Sequence, residues 1–139
     1  YHADNLLWLP TRTGARRCGL LDFQDATLGS IAYDLVSLLE DARRDVAPVI
    51  VARALERYHG LVGGDRAGFE AAYAVLGAQR NTRIVGVFTR LWRRDGKACY
   101  LDLLPRVWRH LEGDLRHPAM EPVRRWFDAN VPPAWRHRP

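Results

Sequence analysis

The texture of the chain changes at residue 31. Before it, apolar residues fall in two short runs, Asn5–Leu9 and Arg17–Asp22. The link between them, from Pro10 to Arg16, is rich in turn formers, including Gly14. Two short runs across such a link predict a β-hairpin. Residues 23–30, with Gly29 and interleaved polar positions, predict a loop. From Ile31 the spacing is helical: Ile31, Leu35, Leu38 and Leu39 share one face, and Ser30 suits an N-cap. A second helix is expected over about Ala47–Leu61, with Pro48 tolerated in its first turn.

Val62-Gly63-Gly64-Asp65 breaks that helix. A long helix follows over about Arg66–Arg94, with Gly77 and Gly86 as candidate bend points, and Asp95-Gly96 turns the chain. The next helix, about Lys97–Leu115, contains Pro105, which is expected to kink it. His117-Pro118 closes it, a last helix covers about Met120–Ala129, and Pro132-Pro133 with the basic tail is expected to be extended. The pattern is α+β and lopsided: a hairpin over about 5–22, then a helical bundle over about 31–130.

With 139 residues, 47% of them apolar and 27% charged, the chain can bury one core. Its net charge of +5 suits an anionic partner, whether nucleotide phosphates, nucleic acid or an acidic membrane surface. Most of the arginines alternate with Asp or Glu, the pattern of a solvated helix face. No apolar run approaches the ~20 residues that span a bilayer, and no secretory signal is visible. Cys18 and Cys99 have neither metal nor disulfide spacing and read as reduced core residues of a cytoplasmic protein. Most of the five tryptophans read as core or helix-packing residues.

The first quarter carries the chemistry. Tyr1-His2-Ala3-Asp4-Asn5 precedes the first run, and Asp22-Phe23-Gln24-Asp25 leaves the second. A hairpin places the Asn5 amide and the Asp22 carboxylate at adjacent strand ends. Mg²⁺ prefers oxygen ligands and takes only one or two from protein beside substrate phosphates. An Asn and an Asp so placed are what phosphoryl transfer uses to hold the metal.

These two motifs resemble the catalytic and metal loops of the aminoglycoside phosphotransferase and choline-kinase-like superfamily. Its catalytic loop reads H-x-D-x-x-x-x-N, so with Asn5 as the Asn the base falls immediately before Tyr1. Asp22 matches the aspartate of D-F-G, with Gln24 replacing the glycine. Longer stretches, DFQDATLGSIAYDLVSLLEDARRDV, QRNTRIVGVFTRLWRRDGK and YLDLLPRVWRHLEGDLRHP, resemble bacterial kinases of the anomeric hydroxyl of N-acetylmuramate and N-acetylglucosamine, which act in cell-wall recycling.

The resemblance implies a protein-kinase-like fold, of which this chain is the mostly helical C-lobe with its hairpin. The N-lobe and the catalytic aspartate are expected upstream, and this polypeptide alone is expected to be inactive. It implies Mg²⁺ held by Asn5 and Asp22, ATP or GTP as donor, and a sugar hydroxyl as acceptor. His2 supports the catalytic loop or packs beneath it, and Asp34 braces that loop. Asp25 is a candidate for the substrate pocket, as are Gln79 and Arg83 on the long helix, where Arg83 suits a carboxylate. Two rival readings are an aminoglycoside or amino-alcohol acceptor, and a non-enzymatic basic helical module. The second leaves Asn5 and Asp22 unexplained, so neither nucleic acid nor membrane is expected as a partner.

Overall fold

A computed structural model describes residues 1–22, 24 and 26–136. The hairpin is short. Strand β1 (Leu6–Trp8) pairs antiparallel with β2 (Cys18–Leu20) in the register Leu6↔Leu20, Leu7↔Gly19, Trp8↔Cys18. A single 3₁₀ turn (Gly14–Arg17) closes the connector, and the Arg17 guanidinium lies 5.6 Å from the Trp8 ring. Leu7, Trp8, Cys18 and Leu20 are all exposed. Both cysteines therefore depart from the core positions expected. Cys18 sits at the end of a two-stranded sheet, and in the 3₁₀ segment that holds Cys99 it is Tyr100 that turns inward, against Phe88.

Six α-helices follow among the described residues: α1 (Tyr33–Leu39), α2 (Pro48–Val62), α3 (Arg66–Asp95), α4 (Leu104–Asp114), α5 (Glu121–Asn130) and α6 (Pro133–Arg136). Ser30 caps a turn rather than α1 itself: its Oγ accepts from the Ala32 N–H and its carbonyl from Tyr33, so the helix begins later than the spacing suggested. Asp65 caps α3 by accepting from the Ala67 N–H. Gly96, at φ 67°, ends it in the left-handed region that glycine reaches without strain.

Pro105 does not kink a helix; it starts one. Residues 98–103 form a 3₁₀ helix, and Pro105 stands in the first turn of α4, where a missing N–H costs nothing. The Pro132-Pro133 segment is likewise not extended, because Pro133 opens α6. Arg136 holds that short helix in place. It is 5% exposed, donates to Val131 O (2.7 Å) and Asp128 Oδ1 (2.6 Å), and pairs with Glu112 at 3.5 Å.

The core lies between α3 and α4. From α4, Leu104, Val107, Trp108 and Leu111 form a stripe at i, i+3, i+4 and i+7, and Ala74, Ala78 and Phe88 of α3 face it. Fully burying each large side chain is worth roughly 1.5–3 kcal/mol. Phe127 of α5 meets Trp108 edge-on at 6.2 Å. Among the tryptophans only Trp108 is buried; Trp8, Trp92, Trp126 and Trp135 are exposed, contrary to expectation. Trp8 lies beside the Arg17 guanidinium and Trp126 meets Phe127 edge-on, so these two pack in part while remaining open to solvent. Among the described residues no helix is long and apolar enough to cross a membrane.

Candidate functional site

The open end of the hairpin brings the two motif residues together. The Leu21 N–H donates to Asn5 O at 2.9 Å, which carries the pairing one step past Leu6↔Leu20. Asn5 is set by a 3₁₀ turn (Ala3–Asn5), in which its N–H donates to His2 O. Asp22 follows Leu21 at φ 58°, alone in the left-handed region among the described non-glycine residues. Aspartate tolerates that conformation better than most side chains. The turn swings its carboxylate back, and Asn5 Nδ2 donates to Asp22 Oδ2 at 3.1 Å. Gln24 Nε2 donates to the other oxygen, Oδ1. Gln24, where a D-F-G loop has glycine, thus orients the carboxylate.

The spacing suits a shared ion. Two ligand oxygens at right angles on an octahedral Mg²⁺ stand about 2.9 Å apart. Rotating the Asn5 amide about its own axis exchanges nitrogen for oxygen at nearly the same position. Among the described residues no three His, Cys, Asp or Glu side chains gather as a metal cluster.

The rest of the loop is tied to α1. The Tyr1 backbone nitrogen donates to Asp34 Oδ1. Arg44 reaches Asp4 Oδ1 at 2.6 Å with one nitrogen and Asp41 Oδ2 at 3.1 Å with another. His2 Nδ1 is buried, 4.0 Å from Asp4 Oδ2 and without a hydrogen bond. Asp25 lies outside the described residues. Gln79 and Arg83 are exposed on α3.

A second polar group, not singled out from the sequence, lies at the end of α1. Glu40 and Asp114 are 7% and 6% exposed, and Asn81, fully buried between them, donates to Glu40 Oε2 (2.6 Å) and Asp114 Oδ2 (3.1 Å). Arg80 donates to the Glu40 carbonyl. Burial first, and then the Glu40 charge, push the Asp114 carboxyl up to about 8. Burial also raises Glu40, against the hydrogen bond from Asn81. Burial disfavours the charged form of both carboxyls, and the charge of each disfavours that of the other. Tyr73, its hydroxyl buried beside Glu40 without a well-formed hydrogen bond, is raised by the same burial. A signal for the group existed. Asn81 continues the apolar stripe Ala74, Ala78, and Asp114 continues the stripe of α4, so each is a polar residue at a core position.

Comparison with known proteins follows the same line. The profile of the phosphotransferase enzyme family matches residues 1–73. The chain is 50% identical over 133 residues to the N-acetylmuramate/N-acetylglucosamine kinase of Caulobacter vibrioides, covering 95% of this chain and 37% of that protein. It is 38% identical over 101 residues to the Pseudomonas aeruginosa protein of the same name, and 38% over 102 residues to that of Neisseria meningitidis serogroup B. Each of those two matches covers 68% of this chain and 30% of the relative. The matches thus cover between 30% and 37% of the length of these relatives. On the family profile and on this identity, the chain belongs to the phosphotransferase enzyme family.

Proposed function

We propose that this chain is the C-terminal lobe of an ATP- or GTP-dependent sugar kinase that phosphorylates a hydroxyl of an N-acetylated amino sugar, with the anomeric hydroxyl as the preferred acceptor. The observation that carries the reading is the 3.1 Å approach of the Asn5 amide to the Asp22 carboxylate at the hairpin end. The names of the relatives support the sugar acceptor. On this reading the enzyme serves peptidoglycan recycling in the cytoplasm.

Asn5 and Asp22 would hold Mg²⁺ through one oxygen each. Held by these two residues, Mg²⁺ would supply positive charge to offset the charge that develops on the nucleotide phosphates. In the register of the catalytic loop the base stands just before Tyr1. Asp34, at the start of α1 next to the catalytic loop, would brace that loop and with it the base. Arg44, between Asp4 and Asp41, fixes the loop against the end of α1, so loop and helix move as one. Positioning of this kind supplies much of the rate enhancement when the protein makes no covalent bond to the phosphoryl group.

The test is nucleotide- and Mg²⁺-dependent phosphorylation by a full-length polypeptide carrying this chain. The acceptors are N-acetylglucosamine, N-acetylmuramate, an aminoglycoside and choline. Preference for the two sugars, lost in Asp22→Asn, is the expected result. Preference for the aminoglycoside or choline would replace the acceptor assignment, and full activity in Asp22→Asn would remove the metal role.

A further inference from the structure

The connector between α1 and α2, residues 40–45, is fastened at most of its positions. The Glu40 carbonyl accepts from Arg80 at 3.1 Å, and the Glu40 carboxylate from Asn81 at 2.6 Å. Ala42 is buried in the core, and its carbonyl accepts from Arg106 at 3.0 Å. Asp45 receives two 2.8 Å hydrogen bonds from the same guanidinium. Asp41 is 2% exposed, and both of its oxygens are answered within the connector. Oδ1 accepts from the Arg43 N–H at 2.8 Å, and Oδ2 meets Arg44 Nε at 3.1 Å. Side chains of α3 and α4 thus hold this segment as a strut.

Among the described residues one hydrogen bond joins the strut to the loop that carries Asn5. Arg44 Nη2 donates to Asp4 Oδ1 at 2.6 Å, across 40 positions of sequence. Asp4 lies in the 3₁₀ turn that sets Asn5, and its other oxygen stands 4.0 Å from the buried His2 Nδ1. Glu40 and Asp45 are turned elsewhere, lining an open cavity of about 1080 Å³ beside α1. The Arg44 guanidinium therefore answers two carboxylates with two nitrogens of one plane. A lysine, with a single nitrogen, cannot repeat that geometry. The outer contact contributes little to stability, because Arg44 and Asp4 are both about half exposed. Its direction is fixed all the same, since the inner carboxylate is buried and held.

We infer that Arg44 is a positioning residue for phosphoryl transfer: acting through Asp4, it sets where the Asn5 amide stands relative to the helical bundle. The effect on rate rests on the sugar-kinase reading, whereas the mechanical link from strut to loop does not. A displacement of about 1 Å at a reacting centre can cost roughly 100-fold in rate. A contact that adds little to stability can therefore still govern kcat.

The experiment uses the full-length polypeptide with Arg44→Ala, Arg44→Lys, Asp4→Ala, the double variant of Arg44→Ala with Asp4→Ala and, as control, Arg43→Ala. Steady-state kinetics with N-acetylglucosamine read kcat and the KM for sugar and for MgATP. Hydrogen exchange in residues 2–8, without nucleotide or metal, reads the loop apart from turnover. In Arg44→Ala and in Asp4→Ala, kcat is expected to fall at least about tenfold while each KM stays within about threefold. Exchange in residues 2–8 is expected to speed at least about fivefold in both, and Arg43→Ala to match the wild type in rate and exchange. The double variant is expected to lose no more than about twofold beyond the worse single variant, since both remove one contact. Arg44→Lys keeps the charge without the two-pronged bridge and is expected to recover less than about half of the lost rate. If Arg44→Ala fails to fold because Asp41 loses its partner, Asp4→Ala, which leaves the inner pair intact, decides alone. Wild-type kcat or unchanged exchange in folded Asp4→Ala overturns the inference, as do multiplied losses in the double variant or wild-type kcat in Arg44→Lys. A wild-type protein that transfers no phosphoryl group removes the kinase reading, and with it the effect on rate. Exchange that still speeds in Asp4→Ala then leaves the link from strut to loop standing.

Discussion

Asp114 of α4 occupies the space that a side chain on Gly77 of α3 would need. A Cβ built on Gly77 would stand 2.5 Å from Asp114 Oδ1. Glycine here is what lets the two helices bring the carboxyl to Asn81. Gly77→Ala gains about 1 kcal/mol in helix propensity, but overpacking costs about 1–3 kcal/mol. Asp114 is held by Asn81 and cannot simply swing aside, so the clash wins. Gly77→Ala is expected to lower stability in urea unfolding. Gly86, with no atom within 4 Å of its would-be Cβ, provides the control: Gly86→Ala is expected to stabilise by up to about 1 kcal/mol.

The Glu40–Asp114 pair makes stability pH-dependent in an unusual sense for carboxyls. The Asp114 carboxyl rises from 3.8 to about 8 on folding, so the folded state binds more protons than the unfolded state between those values. Stability is then fully present below about pH 4 as far as this group is concerned, and declines as pH rises through 8. The slope is at most about 1.4 kcal/mol per pH unit for one proton. His110, lowered from 6.5 by burial and by Arg109 and Arg106, acts oppositely and costs stability as pH falls below 6.5. Denaturant midpoints between pH 7 and 9 are expected to fall in the wild type and to flatten in Asp114→Asn.

Asp22 separates backbone strain from charge. Asp22→Gly keeps the left-handed turn and Asp22→Asn tolerates it, so both are expected to stay within about 0.5 kcal/mol of wild-type stability. Asp22→Val places a β-branched residue at φ 58° and is expected to lose about 1–2 kcal/mol. On the proposed function, all three are expected to cut kcat/KM for phosphoryl transfer by the full-length polypeptide at least about 100-fold. Retained activity in Asp22→Gly would show that the carboxylate has no part in the reaction.

The two arginine clamps differ in what they hold. Arg106 grips Asp45 with two 2.8 Å hydrogen bonds and also donates to the Ala42 carbonyl, which fastens the α1–α2 connector to α4. Arg136 fastens α6 instead. Arg136→Ala is expected to speed hydrogen exchange in residues 131–136 while leaving residues 33–47 unchanged. Arg106→Ala is expected to produce the reverse.

The architecture was largely legible in the sequence, because helical spacing from Ile31 and the Gly63-Gly64 and Asp95-Gly96 breaks are local signals. The errors have a common cause. Pro105 reads as a kink or as a first turn depending on where the helix begins, and the 3₁₀ segment 98–103 has the same apolar spacing as α-helix over so short a run. Cys18 and Trp8 read as buried because they are apolar, yet their exposure depends on what packs over the hairpin, a tertiary matter. The Asn5 and Asp22 motifs stood out by their resemblance to the catalytic and metal loops of a known family, and the hairpin sets the two side chains 3.1 Å apart. Glu40, Asn81 and Asp114 could not be found as a set, since 41 and 33 residues separate the partners of the two hydrogen bonds.

Helix α2 buries no residue along its 15-residue length. Its attachments are peripheral: the Tyr58 hydroxyl on the Ile31 carbonyl, an Arg66–Glu56 ion pair, and the stack of Tyr58 on Phe69. An element with so few dry contacts opens at small free-energy cost while the α3–α4 core stays shut. Because Val51 and Ala52 belong to it, one wall of the cavity beside α1 stands on the loosest part of the bundle while the opposite wall, with Ala74 and Asp114, stands on the tightest.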